Sequence, residues 1–385
     1  MLFRSGCFYQ GPASLRFAER LVELGGQVAV PTSMNSLCID RRRWRNQGVP
    51  AELGEPSEAL ADAYLQLGVT PTYTCAPYLL DDPPARGQQI AWAESNAVVF
   101  ANAVIGARTM KYPDYLDILI ALIGRAPNAG AHTDAGRRAT LQIAVDVPVE
   151  QLDDAFYPTL GYHVGTIASN DIPVLTGLER ATPTADDLRA FGAAFATTSA
   201  AAMFHIVGVT PEAPTLDAVT DPAEPIRRVR VGAAELARTW EELNSATVTR
   251  TDMVALGNPH FSLTEFARLA DLCDGRTKSP EVELVVTTSR SIHARAERAG
   301  LVARLEQFGA RLVNDTCWCL IGEPVVTPSS RTITTSSAKY AHYGTAAVGR
   351  GFHLRSLAGC VDAACTGDAG TVLPAWLGSP RYRAR

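Results

Sequence analysis

Eight cysteines, seven histidines and a few clusters of short polar side chains carry the chemistry open to this sequence. The cysteines are Cys7, Cys38, Cys75, Cys273, Cys317, Cys319, Cys360 and Cys365, and no Cys-x-x-Cys pair occurs. The spacing argues against zinc ribbons and thioredoxin-like sites but allows a cluster gathered from distant segments. The alternative for each is packing, since free cysteine behaves as a small hydrophobe. Three runs in the second half bring polar groups to expected strand ends: Gly257-Asn258-Pro259-His260-Phe261-Ser262, Thr287-Thr288-Ser289-Arg290 and Asn314-Asp315-Thr316-Cys317. In an open parallel sheet these ends share one edge, the edge where ligands bind. An imidazole, an amide, hydroxyls and a thiol would converge there. Ser262 equally suits a helix N-cap, and His260 a hydrogen-bonded loop position. His163, in Gly161-Tyr162-His163-Val164-Gly165, reads as a loop residue, either a substrate wall or a structural histidine. Phosphate-cradling glycine loops, His-Glu-x-x-His and Gly-x-Ser-x-Gly are absent.

The elements that must position these groups are of α/β type. Helices are expected over 13–24, 88–106 (buried), 116–123 and 186–202, with strands over 27–30, 141–147 and 204–209. A passage with Pro211, Pro214, Pro222 and Pro225 reads as a linker. Beyond it strands at 228–231, 253–256, 282–286 and 311–313 alternate with helices at 233–243, 262–273 and 289–306. That alternation implies parallel βαβ units and a multi-domain chain, divided into 1–226 and 227–385. The 385 residues are 46% hydrophobic, enough for a sizeable core. The formal charge is −5, without long like-charge runs, so neither nucleic acid nor an anionic membrane is an expected partner. Residues 116–123 fall far short of the roughly 20 that span a bilayer. Residues 1–6 show no leader pattern, and a cytoplasmic enzyme is the default expectation.

Seven blocks resemble the aconitase X family, a branch of the aconitase superfamily. They are Pro31-Thr32-Ser33-Met34-Asn35, Tyr73-Thr74-Cys75-Ala76-Pro77-Tyr78-Leu79, the run from Gly87 to Asn102, Gly106-Ala107-Arg108-Thr109, Gly257-Asn258-Pro259-His260, Asp315-Thr316-Cys317, and at the end Ser336-Ser337-Ala338-Lys339-Tyr340-Ala341-His342-Tyr343 with Ser356-Leu357-Ala358-Gly359-Cys360. The resemblance implies an iron–sulfur hydro-lyase, acting on cis-3-hydroxy-L-proline or on mevalonate 5-phosphate. It covers the family's large part and not its small swivelling domain, so a separately encoded small subunit is an expected partner. Two departures stand out: a further N-terminal helical stretch of the family is not matched, and Asn258 replaces a cysteine of some relatives.

The implied cofactor is an iron–sulfur cluster, [2Fe-2S] or [4Fe-4S], on Cys75, Cys317 and Cys360, with one coordination position open to substrate. Cys319, two residues from Cys317, is a possible substitute or helper. Iron there would activate the departing hydroxyl of a β-hydroxy acid. Ser33, Asn35, Ser95, Asn96, Asn258, Ser336 and Ser337 are the expected substrate-binding residues. His163, His260 and Lys339 are the expected catalytic ones, and the proton-abstracting base is left unassigned. Matched blocks poor in Arg and Lys favour cis-3-hydroxy-L-proline, giving Δ1-pyrroline-2-carboxylate, over a phosphate ester. A cluster-free scaffold subunit and a dinucleotide-dependent redox enzyme are the competing readings.

Overall fold

The computed structural model describes residues 3–5 and 7–378. Of the segment read for a leader peptide, Met1, Leu2 and Gly6 lie outside the described residues. Three sheets, parallel at every strand pairing among the described residues, are laid out in chain order. The first contains β1 (Phe3–Ser5), β2 (Thr32–Met34) and β3 (Ala91–Trp92) in the order β2-β1-β3. The second contains β4 (Leu141–Asp146), β5 (Pro173–Thr176), β6 (His205–Ile206) and β7 (Arg227–Gly232) in the order β6-β5-β4-β7. The third contains β8 (Met253–Leu256), β9 (Glu283–Thr287), β10 (Ala310–Val313), β11 (Thr332–Thr335) and β12 (Gly351–Leu354) in the order β10-β9-β8-β11-β12. All four residues of β8 are buried, as expected for a strand covered by helices on both faces.

The regular series after residue 250 forms as the sequence predicts, with one helix broken. Expected over 289–306, it is two helices, Arg290–Arg298 and Leu301–Phe308, separated by Gly300 at φ 73°. β7, expected to open that series, instead pairs with β4 from Leu141↔Arg227 to Asp146↔Gly232. A boundary between 226 and 227 therefore separates β7 from its own sheet. The proline-rich passage is not a free linker: Ala213 and Val219 are buried with Ala139 and Val174 in a small apolar cluster.

The loop expected around His163 is helical, within Phe156–Ala168. Gly161 and Gly165 there are close-packing residues rather than helix breakers. A Cβ on Gly161 would stand 2.3 Å from the Phe191 carbonyl oxygen, and one on Gly165 2.1 Å from Thr198 Oγ1, both on helix Ala185–Thr198. The expected buried helix over 88–106 resolves into β3, helix Ser95–Phe100 and a π-turn at Ala101–Ile105. Among the described residues no helix is long and apolar enough to cross a membrane.

Candidate active site

The third sheet reverses its strand order between β8 and β11, and the segments leaving these strands carry Asn258 and Lys339. The chain leaving β10 turns at Cys317, whose carbonyl accepts from the N–H groups of Leu320 and Ile321 at 2.8 and 3.1 Å. That turn presents Cys317 and Cys319 together. Cys75 reaches them in the loop before Pro77, and Cys317 shares hydrogen bonds with both other thiols. Asn258 spans the pair: its Nδ2 donates to Cys319 Sγ at 3.3 Å, and its Oδ1 lies 3.6 Å from Cys317 Sγ. The backbone N–H of His260 donates to Cys75 Sγ at 3.3 Å.

The three thiols are electrostatically unequal. Its interactions with Cys319 and Cys75, with burial, hold the Cys317 thiol well above its ordinary range, and its S–H donates to Asn258 Oδ1. Interaction with Cys317 brings Cys319 down to about 7 against the opposing effect of burial, and Lys339 helps. For Cys75 burial acts upward, but interaction with Cys317 and the nearby His260 and Lys339 leave it well below the ordinary range.

Lys339 is buried, with Nζ 2.8 Å from Glu94 Oε1. Burial favours its neutral form, but Glu94 and the three sulfurs outweigh that and keep the ammonium charged. Glu94 also accepts from Asn96 Nδ2 at 2.7 Å and from Asn35 Nδ2 at 3.3 Å. Asn96 in turn donates to the Cys75 carbonyl at 3.2 Å and accepts from Tyr78 Oη at 2.9 Å. Asn96 thus ties the Lys339–Glu94 pair to the Cys75 loop, and Asn35 adds a second amide donor to Glu94. A cavity of about 240 Å³ opens here, with Asn35, Ser95, Cys317, Cys319 and Lys339 among its lining residues. Ser36, Asp114, Thr197 and Tyr343 line it as well and were not anticipated from the sequence. Tyr343 closes one of the family blocks, whereas no motif marks the other three and only tertiary packing brings them here.

Other expected site residues stand elsewhere. Cys360 is buried on helix Leu357–Thr366 inside the apolar core beneath the third sheet. Its Sγ lies 3.8 Å from the Arg355 carbonyl oxygen, and burial pushes its thiol far up. It does not join the other two expected ligands. The thiol beside Cys317 is instead that of Cys319. His163 bonds Thr239 Oγ1 at 2.9 Å, on the second sheet's helices. Ser336 borders a different cavity, shared with Asp154 and Asp186. Ser337 caps helix Ala338–Val348 by accepting from the Tyr340 N–H at 3.2 Å, and Ser262 caps Leu263–Cys273. Ser33 sits on β2 and is not among the described lining residues.

His260 is fully buried, with both ring nitrogens engaged. Nε2 lies 2.7 Å from the Thr316 carbonyl oxygen, an acceptor only, so this nitrogen carries the proton. Nδ1 faces Thr74 Oγ1 at 3.0 Å. The ring therefore braces the residue before Cys75 against the residue before Cys317, and no ring nitrogen is left for a substrate. Two residues upstream of each cysteine the backbone enters the left-handed region, at Tyr73 (φ 42°) and Asp315 (φ 66°). Such conformations cost about 1–3 kcal/mol each outside glycine and need surrounding structure to hold them.

The donor set of Cys75, Cys317 and Cys319 fits an iron–sulfur centre in its chemistry, with soft sulfurs and two of them favoured as thiolates. Its arrangement is a group linked through Cys317. Among the described residues no three metal-ligating side chains surround a common point.

Family models describe the chain in three consecutive pieces: aconitase X first domain over residues 4–135, second domain over 139–241 and third domain over 251–366. A cis-3-hydroxy-L-proline dehydratase of Pseudomonas aeruginosa is 57% identical over 96% of this chain and 64% of its own length. One of Hypocrea jecorina is 55% identical over 97% of this chain and 63% of its own. The chain thus spans less than two thirds of either. A phosphomevalonate dehydratase large subunit of Methanothermobacter thermautotrophicus is 37% identical over 88% of this chain and 82% of its own length. The crystal structure of Thermococcus kodakaraensis aconitase X in its holo-form superposes with a TM-score of 0.84 at 30% identity, covering 94% of this chain and 89% of that one. With all three domain models matched in order, the chain belongs to the aconitase X family.

Proposed function

We propose that this chain forms the cysteine-bearing part of a hydro-lyase that dehydrates cis-3-hydroxy-L-proline. The observation that carries the reading is the meeting of Cys317 and Cys319 with the Lys339–Glu94 pair at one cavity, with Cys75 buried next to Cys317. The reaction removes the proton from Cα and hydroxide from C3, forms the C2–C3 double bond and releases water. The resulting enamine tautomerises to Δ1-pyrroline-2-carboxylate. Hydroxide is a poor leaving group, and an iron–sulfur centre on the three cysteines would supply the Lewis acid that the departing oxygen needs. Cys75 and Cys319 are the thiolate donors, and Asn258 keeps Cys317 and Cys319 adjacent. The Lys339 ammonium, fixed by Glu94, supplies positive charge for the substrate carboxylate. Asn35 and Ser95 add neutral donors at the same wall.

The substrate choice rests on charge. Among the described lining residues Lys339 is the one cation, and it is already shared with Glu94. A phosphate dianion needs more than that, whereas an imino acid brings its own positive charge. The relatives named for cis-3-hydroxy-L-proline, at 55–57% identity, point the same way. The part of those relatives that this chain does not span corresponds in our reading to a small swivelling subunit supplied as a partner. All eight cysteines are free, which suits a reducing cytoplasm. The test is anaerobic reconstitution with iron and sulfide, together with the unmatched third of the Pseudomonas relative as a separate polypeptide. Offered both substrates, the enzyme converts cis-3-hydroxy-L-proline and spares mevalonate 5-phosphate. Iron-loaded protein that converts neither would overturn the reading.

A further inference from the structure

Tyr73 and Asp315 hold equivalent positions, each two residues before a site cysteine and each in the left-handed region. They belong to different segments, yet the same two arginines grip both. Arg290 makes a two-pronged bond to the Asp315 carboxylate, Nε to Oδ1 at 2.6 Å and Nη2 to Oδ2 at 2.5 Å. Its guanidinium also lies over the Tyr73 ring, 4.8 Å from the centroid. Arg41 bonds Tyr73 Oη through Nη1 at 2.8 Å, while its backbone N–H donates to Asp315 Oδ2 at 3.2 Å. Asp62 holds the other end of the Arg41 guanidinium. Tyr73 and Asp315 are themselves buried, so the grip is made largely out of water.

A bulky residue at positive φ is unstable unless its surroundings over-determine it. Two such residues bridged by one arginine pair are a coupled device, since releasing either loop would free the other. We propose that Arg290 and Arg41 are positioning residues, a clamp that sets the separation of Cys75 and Cys317 in the chain before any cofactor is bound. Arg290 is the stronger member because it alone touches both loops with its side chain. The clamp rests on the proposed function for its purpose, but its action on the sulfurs does not depend on iron.

The test uses the metal-free full-length chain, alkylated with iodoacetamide and read cysteine by cysteine by mass spectrometry. In Arg290→Met the alkylation rates of Cys75 and Cys317 rise by about tenfold or more as their loops open locally. Cys273 and Cys360, buried in the core below the same sheet, keep their wild-type rates. Arg290→Lys, which retains the charge without the two-pronged bond, falls between. Tyr73→Phe, losing only the Arg41 bond, changes least. Unchanged rates at Cys75 and Cys317, or a rise at all four cysteines together, would overturn the clamp. Iron content after reconstitution is the second readout and falls in Arg290→Met relative to wild type. If wild type itself binds no iron, the proposed function fails while the alkylation result still decides the clamp.

Discussion

The second and third sheets are both parallel and each reverses its strand order once, between β4 and β7 in one and between β8 and β11 in the other. At the second sheet's reversal Asp146 pairs with Arg230 at the surface, and the Gly232 N–H is taken by Glu235 in starting a helix. At the third sheet's reversal Asn258 holds two thiols and Lys339 stands beside Glu94. The topology offers a crevice in both places, and the side chains decide which becomes a site.

The largest effects expected separate the site sulfurs from the core sulfur of the same domain. Cys317→Ser or Cys75→Ser lowers turnover by roughly 10³-fold or more, the scale of a lost metal contribution of several kcal/mol. Cys360→Ala keeps its iron and its turnover and lowers unfolding stability by about 1–2 kcal/mol. Iron analysis and denaturant unfolding check both, and a Cys360→Ala protein that loses iron as completely as Cys317→Ser would erase the distinction. Next in size, Lys339→Met lowers kcat/KM by about 10²-fold, as expected for loss of a buried charge-assisted contact. His163→Ala, on the second sheet's helices, stays within about twofold of wild type. A pH series sharpens the contrast further. In the metal-free chain Cys319 becomes a reactive thiolate as pH rises through about 7, because Cys317, Lys339 and Asn258 favour its charged form. Cys273, pushed up to about 12 by burial, stays inert until far more alkaline pH. Smallest, Ser337→Ala removes a helix cap and costs about 1 kcal/mol of stability, leaving KM unaltered.

Local signals made the third domain readable. β8 and β9 are short apolar runs followed by helices with polar starts, and Ser262 precedes its helix with Glu265 three residues on, a reciprocal cap. Helix Leu116–Ile123 was equally legible. Helix Ala51–Gln66 was not, because Pro56 sits inside it, and Phe156–Ala168 was hidden by its two packing glycines. In the site, Cys75, Cys317, Asn258 and Lys339 followed from the family blocks, and Cys319 from its spacing to Cys317. Cys360 lies in an equally recognisable block, yet its position on Leu357–Thr366 turns it into the core, which block matching does not register. Ser36, Asp114 and Thr197 left no trace in the sequence because their role arises only from neighbours far away in the chain.

The cavity wall draws residues from every one of the three family domains: Asn35 and Glu94 from the first, Ala196 and Thr197 from the second, Cys317 and Lys339 from the third. No single domain, cut out at its natural limits, contains a usable receptor, however well it folds. Mutations at the seams between domains therefore reach the chemistry as surely as mutations inside the crevice. Grafting one domain from a relative with a different appetite would reshape a third of the enclosure at a stroke.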